Sequence, residues 1–286
     1  MFHVKNNLIL IGVLMFICAS APEILAQQKN RKPAFRVIAF YTGKNDMAHI
    51  SYVKEANEWF AKMASQHNFI YEATSNWTQM NDEFLRNYEA VIFLDTRPGK
   101  AEQRAAFQKY MEQGGGWLGF HFAAFALTPS AFRQDWDWYH QQFLGSGEYL
   151  SNTWRPTKAY LHAEQTRHPV YRKLNKTITA SPNEWYRWKN DLSKNPDIQI
   201  LYAIDPKSFP LGTGPKAHEI WHSGYYPVVW TNRNYKMVYF NMGHNDMDYE
   251  HRYGKDVKTL SHTYDNPEQE KLVMNALKWV VRKRIK

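Results

Sequence analysis

Gly114-Gly115-Gly116-Trp117-Leu118-Gly119-Phe120-His121 is the stretch on which the reading of this chain turns. Three glycines stop a helix, the next four residues make a short buried strand, and a titratable side chain stands where that strand breaks into a loop. The glycines are not a dinucleotide fingerprint, because phosphate-binding glycines follow a strand and open a helix, whereas these precede a strand. Outward toward the N-terminus, 101–113 has helical spacing with Phe107, Tyr110 and Met111 inward, and 90–94 is a buried strand run closed by Asp95-Thr96. Before it come a short helical piece at 84–88, a strand at 69–73, and a helix over 49–67 with Val53, Ala56, Phe60 and Met63 on one face. A strand at 35–41 ending at Thr42-Gly43 opens the series. Strands alternating with helices predict an α/β fold, a parallel sheet covered by helices on both faces.

Toward the C-terminus the texture changes. The stretch 129–156, rich in Trp, Tyr, Gln and Gly, reads as irregular structure with short helices. Strands are expected at 159–163 and 199–204, followed by an antiparallel meander of 218–221, 227–230 and 237–241, turning at Gly224 and at Asn232-Arg233-Asn234. A final amphipathic helix over 268–281 places Leu272, Leu277 and Val280 in the core. No repeat and no long linker appears, so 27–286 reads as a single domain.

The first 26 residues read as a secretory signal: Lys5, an apolar run over 8–19, then Ala26 before Gln27. The run is about half of the ~20 residues a membrane span needs, so no permanent span is expected and the location is periplasmic or secreted. Cys18 is the only cysteine, and cleavage would remove it together with any thiol chemistry. The formal charge of +9 is densest at the chain ends, 29–32 and 282–286, which are solvated tails rather than a nucleic-acid surface. Aromatic content of 16% with eleven Trp is read as a large aromatic core, with stacking faces for sugars as the second reading.

His218-Glu219-Ile220-Trp221-His222 matches the pattern of zinc peptidases, which works only on a helix. Gly214-Pro215 and Gly224 crowd it and its neighbours are β-like, so zinc chelation is not expected here. The carboxyl ends of the strands are where open α/β sheets bind ligands, and Thr42, Gly43, His49, Asp95, His121 and His244 all fall on that edge. His49, His121 and His244 are expected to share one pocket. Gly43-Lys44-Asn45-Asp46-Met47 also echoes Gly243-His244-Asn245-Asp246-Met247, as if both loops lined one crevice.

These residues resemble the ThuA (trehalose utilisation) family, whose fold is similar to that of class I glutamine amidotransferases. The resemblance spans nearly the whole chain after the signal. It rests on the strand before His49, on 114–121, and on His168-Pro169-Val170 and Asn183-Glu184-Trp185-Tyr186. Pro227-Val228-Val229-Trp230 and Tyr239-Phe240-Asn241-Met242-Gly243-His244 complete it. It implies a flavodoxin-like sheet with an antiparallel extension. In amidotransferases the turn after this strand carries a cysteine nucleophile. Here His121 occupies that turn, so cysteine-dependent amide chemistry is closed. The sequence departs from the commoner pattern at Phe122-Ala123-Ala124 and at Asn241-Met242.

The resemblance implies carbohydrate catabolism on a disaccharide or 3-keto-glycoside, by a carbohydrate-active lyase or hydrolase. A 3-keto group acidifies the neighbouring C–H bond, so elimination needs a base and an enolate stabiliser. The implied catalytic set is His121, His244, His49 and Glu184, and the chemistry admits a divalent metal ion as cofactor. Thr42, Gly43, Asp95, Asn245, Trp136 and Trp138 are the expected contacts to a small-molecule sugar. The rival is a non-catalytic sugar-binding module that uses Trp136 and Trp138 as stacking platforms, and a zinc metallopeptidase stands third.

Overall fold

A computed structural model describes residues 32–44, 46–153, 156–209, 224–245 and 260–282. The chain divides after Pro33, and the unit that begins at Ala34 holds everything discussed below. Its first half runs β1 (Arg36–Phe40), α1 (Met47–His67), β2 (Ile70–Thr74), α2 (Asp82–Leu85), β3 (Ala90–Phe93), α3 (Ala101–Glu112) and β4 (Gly116–Phe120). The second half is mostly β: β5 (Tyr149–Asn152), β6 (Thr157–Ala163), β7 (Thr177–Asn183), β8 (Tyr186–Trp188), β9 (Ile198–Ile204), β10 (Tyr226–Asn232) and β11 (Lys236–Phe240), closed by α4 (Pro267–Val280).

One sheet has the order β2-β1-β3-β4-β11-β10-β9-β6-β7, and β5 pairs with β8 separately. The pairs from β2 through β4 to β11 are parallel, and those from β11 through β10, β9 and β6 to β7 are antiparallel. Side chains alternate across the sheet as a period of two demands. Ala90, Ile92 and Leu94 join α1 and α4 in one core, while Val91 and Phe93 join α3 in the other. Helices therefore cover both faces.

Local chemistry sets the helix ends. Asp46 Oδ1 caps α1 by accepting from the Ala48 and His49 amides, at 2.8 and 3.3 Å, and Asn68 closes that helix with φ of 54°. Gly116 is obligatory for a different reason: a Cβ there would stand 2.7 Å from the Val280 carbonyl oxygen. Among the described residues no helix is long and apolar enough to cross a membrane.

Where the sequence pattern was strong, the strands and helices fall within a residue or two of expectation. The region 129–156 does hold irregular chain, with a cis Thr128–Pro129 bond, but also a π-helical turn at Trp138–Phe143 and β5. β7 goes unseen in the sequence because Ser181-Pro182-Asn183 looks like a turn; Pro182 is tolerated because β7 is the sheet's edge. The hairpin β10–β11 turns at Asn232-Arg233-Asn234 as expected, with β9 on its other side. The expected strand 218–221 lies outside the described residues.

Candidate functional site

Register places the site. Phe40 pairs with Phe93, Phe93 with Gly119, and Phe120 with Phe240, so β1, β3, β4 and β11 end level with one another. The residues that follow them meet along one edge. At the end of β4 the chain turns sharply into a 3₁₀ turn, His121–Ala124, and His121 takes φ of 40°. A left-handed backbone at a residue other than glycine costs about 1–3 kcal/mol and persists only where its surroundings hold it. Here Tyr239 donates to the His121 carbonyl at 2.8 Å and Tyr139 to the Ala123 carbonyl at 2.9 Å. The imidazole packs on the Tyr186 ring, with centroids 3.9 Å apart.

The loop after β11 is laced to the β7–β8 connection. The Asn241 side chain accepts from the Tyr186 amide and donates to its carbonyl, at 3.0 and 2.8 Å. Gly243 N donates to Asn183 Oδ1 at 3.1 Å, and Glu184 N donates to the His244 carbonyl at 2.9 Å. These bonds bring Glu184 against two histidines. Its Oε2 lies 3.3 Å from His121 Nε2 and 3.8 Å from His244 Nδ1, while its Oε1 accepts from Asn152 Nδ2. His244 Nε2 in turn lies 3.4 Å from Asp46 Oδ2. His49, in the first turn of α1, completes the group: its ring centroid is 4.8 Å from that of His244 and 5.8 Å from that of His121.

Burial separates the charges of this cluster. Desolvation pushes His49 well below the ordinary histidine value, helped by the neighbouring imidazoles of His244 and His121. Burial also lowers His121, outweighing the pull of Glu184. For His244 burial acts downward too, but the Asp46 contact and the Glu184 and Asp46 charges prevail and raise it. Asp46 is lowered chiefly by that same bond to His244. The His121 side chain is 1% exposed, Glu184 12%, His244 15% and Asp46 48%, so the cluster opens toward solvent on the Asp46–His244 side. One nitrogen each from His121 and His244 and one Glu184 oxygen lie within 4.8 Å of one another, a donor set suited to a divalent metal ion. Alternatively, unprotonated imidazole beside a charged one gives a base and an acid.

The structure thus brings together His49, His121, His244 and Glu184. It gives the other expected contacts different work. Asp95 is buried and accepts from the Thr42 and Gly43 amides at 2.7 and 2.5 Å, tying the β1 and β3 loops to each other. Asn245 is fully buried, with Oδ1 taken by Ser261 at 2.8 Å and Thr263 at 3.4 Å. Trp136 and Trp138 require correction as sugar platforms. Each is only 8% exposed, Trp136 stacked on Tyr139 and Trp138 on Phe143, because the π-helical turn folds them over α3. His218 to His222 lie outside the described residues.

Asp46 and Tyr186 stand in sequence motifs without being marked there as site residues, and Asn152 stands in none. The echo between the two loops was the available signal for Asp46, since that residue and His244 are where the loops touch. Tyr186 also lines a neighbouring cavity of ≈ 300 Å³ with Arg187, Trp188 and Tyr225.

Fold and site together define an open α/β protein with a histidine–carboxylate cluster at the carboxyl ends of its parallel strands. The family model for ThuA, trehalose utilisation, matches residues 37–280, and the chain belongs to that family. A solved protein of Bacteroides uniformis described as ThuA-like is 32% identical, with TM-score 0.75, covering 88% of this chain and 94% of that one. A second ThuA-like structure, from Parabacteroides merdae, is 17% identical with TM-score 0.61, covering 89% and 92%, and supports the fold. Among curated proteins no relative matches the chain.

Proposed function

We propose that this chain acts in carbohydrate catabolism on a disaccharide or its 3-keto form, at the cluster of His49, His121, His244 and Glu184. The observation that carries the reading is the convergence of three imidazoles and one carboxylate at the strand ends, with His49 Nε2, His121 Nδ1 and Nε2 and His244 Nδ1 buried without hydrogen-bond partners. Buried polar atoms left unpaired cost about 1–3 kcal/mol each, and such a concentration suits a site built to engage something else. The family's description, trehalose utilisation, supports a disaccharide as the substrate class.

In the reaction, an unprotonated imidazole takes the proton from the carbon between the keto group and the anomeric carbon. The electron pair moves through an enolate, the bond from the anomeric carbon to the glycosidic oxygen breaks, and that oxygen takes up a proton as the second sugar leaves. The products are an unsaturated keto-sugar and a free sugar; water adding to the former gives net hydrolysis. Purified protein should release glucose from 3-keto-trehalose, and His121→Ala should lose about 10²–10⁴-fold in turnover while still binding the sugar. Unchanged turnover in that variant would refute the site.

We propose also that the protein is exported, on the order of Lys5, apolar run and Ala26. Protein purified from its own host should begin near Gln27; a chain that starts at Met1 would exclude cleavage.

A further inference from the structure

We propose that His121, Glu184 and His244 bind one divalent transition-metal ion, leaving His49 as the base. The inference rests on the reading of this cluster as the functional site and adds its cofactor and its division of labour. Several atoms of the cluster already have partners. Glu184 Oε1 is committed to the Asn152 amide, and its Oε2 is the oxygen that faces both rings. His244 Nε2 is turned to the Asp46 carboxylate, which favours the proton on that nitrogen and leaves a lone pair on Nδ1. A carboxylate on the far nitrogen of a histidine is the usual outer partner of a metal ligand, setting tautomer and ring orientation.

The atoms without partners point inward. His121 Nε2 and His244 Nδ1 approach the same Glu184 oxygen at 3.3 and 3.8 Å, yet neither makes a hydrogen bond. Metal–ligand bonds of about 2.0–2.2 Å at near-tetrahedral angles place donor atoms roughly 3.2–3.6 Å apart, so the pairs that share Oε2 nearly have the required spacing. The donors come from three segments, the β4 elbow, the β7–β8 connection and the loop after β11, the last two bonded to each other through Glu184 N and the His244 carbonyl. Two imidazoles and one carboxylate, with no cysteine among the described residues, suit Zn²⁺, Mn²⁺ or Fe²⁺ and leave coordination positions for substrate oxygen. A bound ion would supply positive charge for the enolate oxygen. His49 Nε2, buried and unpartnered beside the triad, retains its lone pair for the proton.

The test is Zn²⁺ binding to chelator-treated full-length protein, followed by calorimetry and thermal melting. One ion per chain should bind and raise the melting temperature. Glu184→Gln and His244→Gln should each weaken binding at least 100-fold, and Asp46→Asn about 10–100-fold. The double variant His218→Ala with His222→Ala should bind as wild type does. Wild-type protein loaded with Co²⁺ should show the visible absorption of nitrogen- and oxygen-bound cobalt, a readout that needs no variant to fold. Absence of stoichiometric binding would overturn the inference, as would binding that survives Glu184→Gln and His244→Gln or is lost with His218 and His222. Turnover by metal-free protein unable to bind Zn²⁺ would also overturn it, and would leave the acid–base reading of the cluster standing.

Discussion

Gly243 shows how little room the site leaves. Its φ is +130°, and a methyl group there would stand 3.2 Å from His121 Cβ and 3.1 Å from the Tyr52 ring. The backbone angle favours glycine, and a Cβ would press both neighbours by a few tenths of an ångström. Gly243→Ala should therefore destabilise the fold by about 1–3 kcal/mol and displace His121 and His244 from each other. Thermal melting and turnover should both fall; unchanged values in both would mean that the loop has slack the geometry does not show. The three histidines were legible as edge residues because each follows a recognisable strand. The bond network that orients them was not, since Asn241, Asn183 and Tyr239 act through space across separate strands.

Among the elements, the π-helical turn Trp138–Phe143 places His140 in full burial with neither ring nitrogen hydrogen-bonded. Burial, with the Arg97 and Arg104 charges adding to it, pushes His140 down to about 3. An unfolded chain would protonate this ring near 6.5 while the folded one does not, so its neutral state stops supporting the fold as pH falls below 6.5. Stability should drop toward pH 3 with a slope of up to about 1.4 kcal/mol per pH unit from this group. His168, lowered by burial to about 4, adds to the slope. Denaturant unfolding between pH 7 and 4 should be less pH-dependent in His140→Gln; an unaltered slope would place the acid sensitivity elsewhere. The same turn explains why Trp136 and Trp138 were misread. Their spacing is equally compatible with an exposed platform and with a core, and only their packing over α3 decides. β1 through β4 and their helices were legible because their periodicity is strong and punctuated by glycine and capping residues. β5 and β8 are only four and three residues long, and β7 ends in Ser181-Pro182-Asn183, which leaves little pattern to read.

For the whole molecule, the parallel half of the sheet supplies the edge on which the histidines stand. The antiparallel half leads back through β7 to bring Glu184 onto that edge. A carboxylate reaching the site from the far end of the sheet is a property of topology, which is why Glu184 was readable as a family residue and not from spacing. The proposed chemistry is removal, by this assembled cluster, of a proton from the carbon beside a sugar's keto group. The most direct measurement is proton NMR of 3-keto-trehalose incubated with the protein in D₂O. The account predicts deuterium at that carbon, or its loss into eliminated product, in wild type, with the rate falling about 10²–10⁴-fold in His49→Ala and in His121→Ala. An absence of exchange and elimination in wild type, or a wild-type rate in both variants, would contradict it.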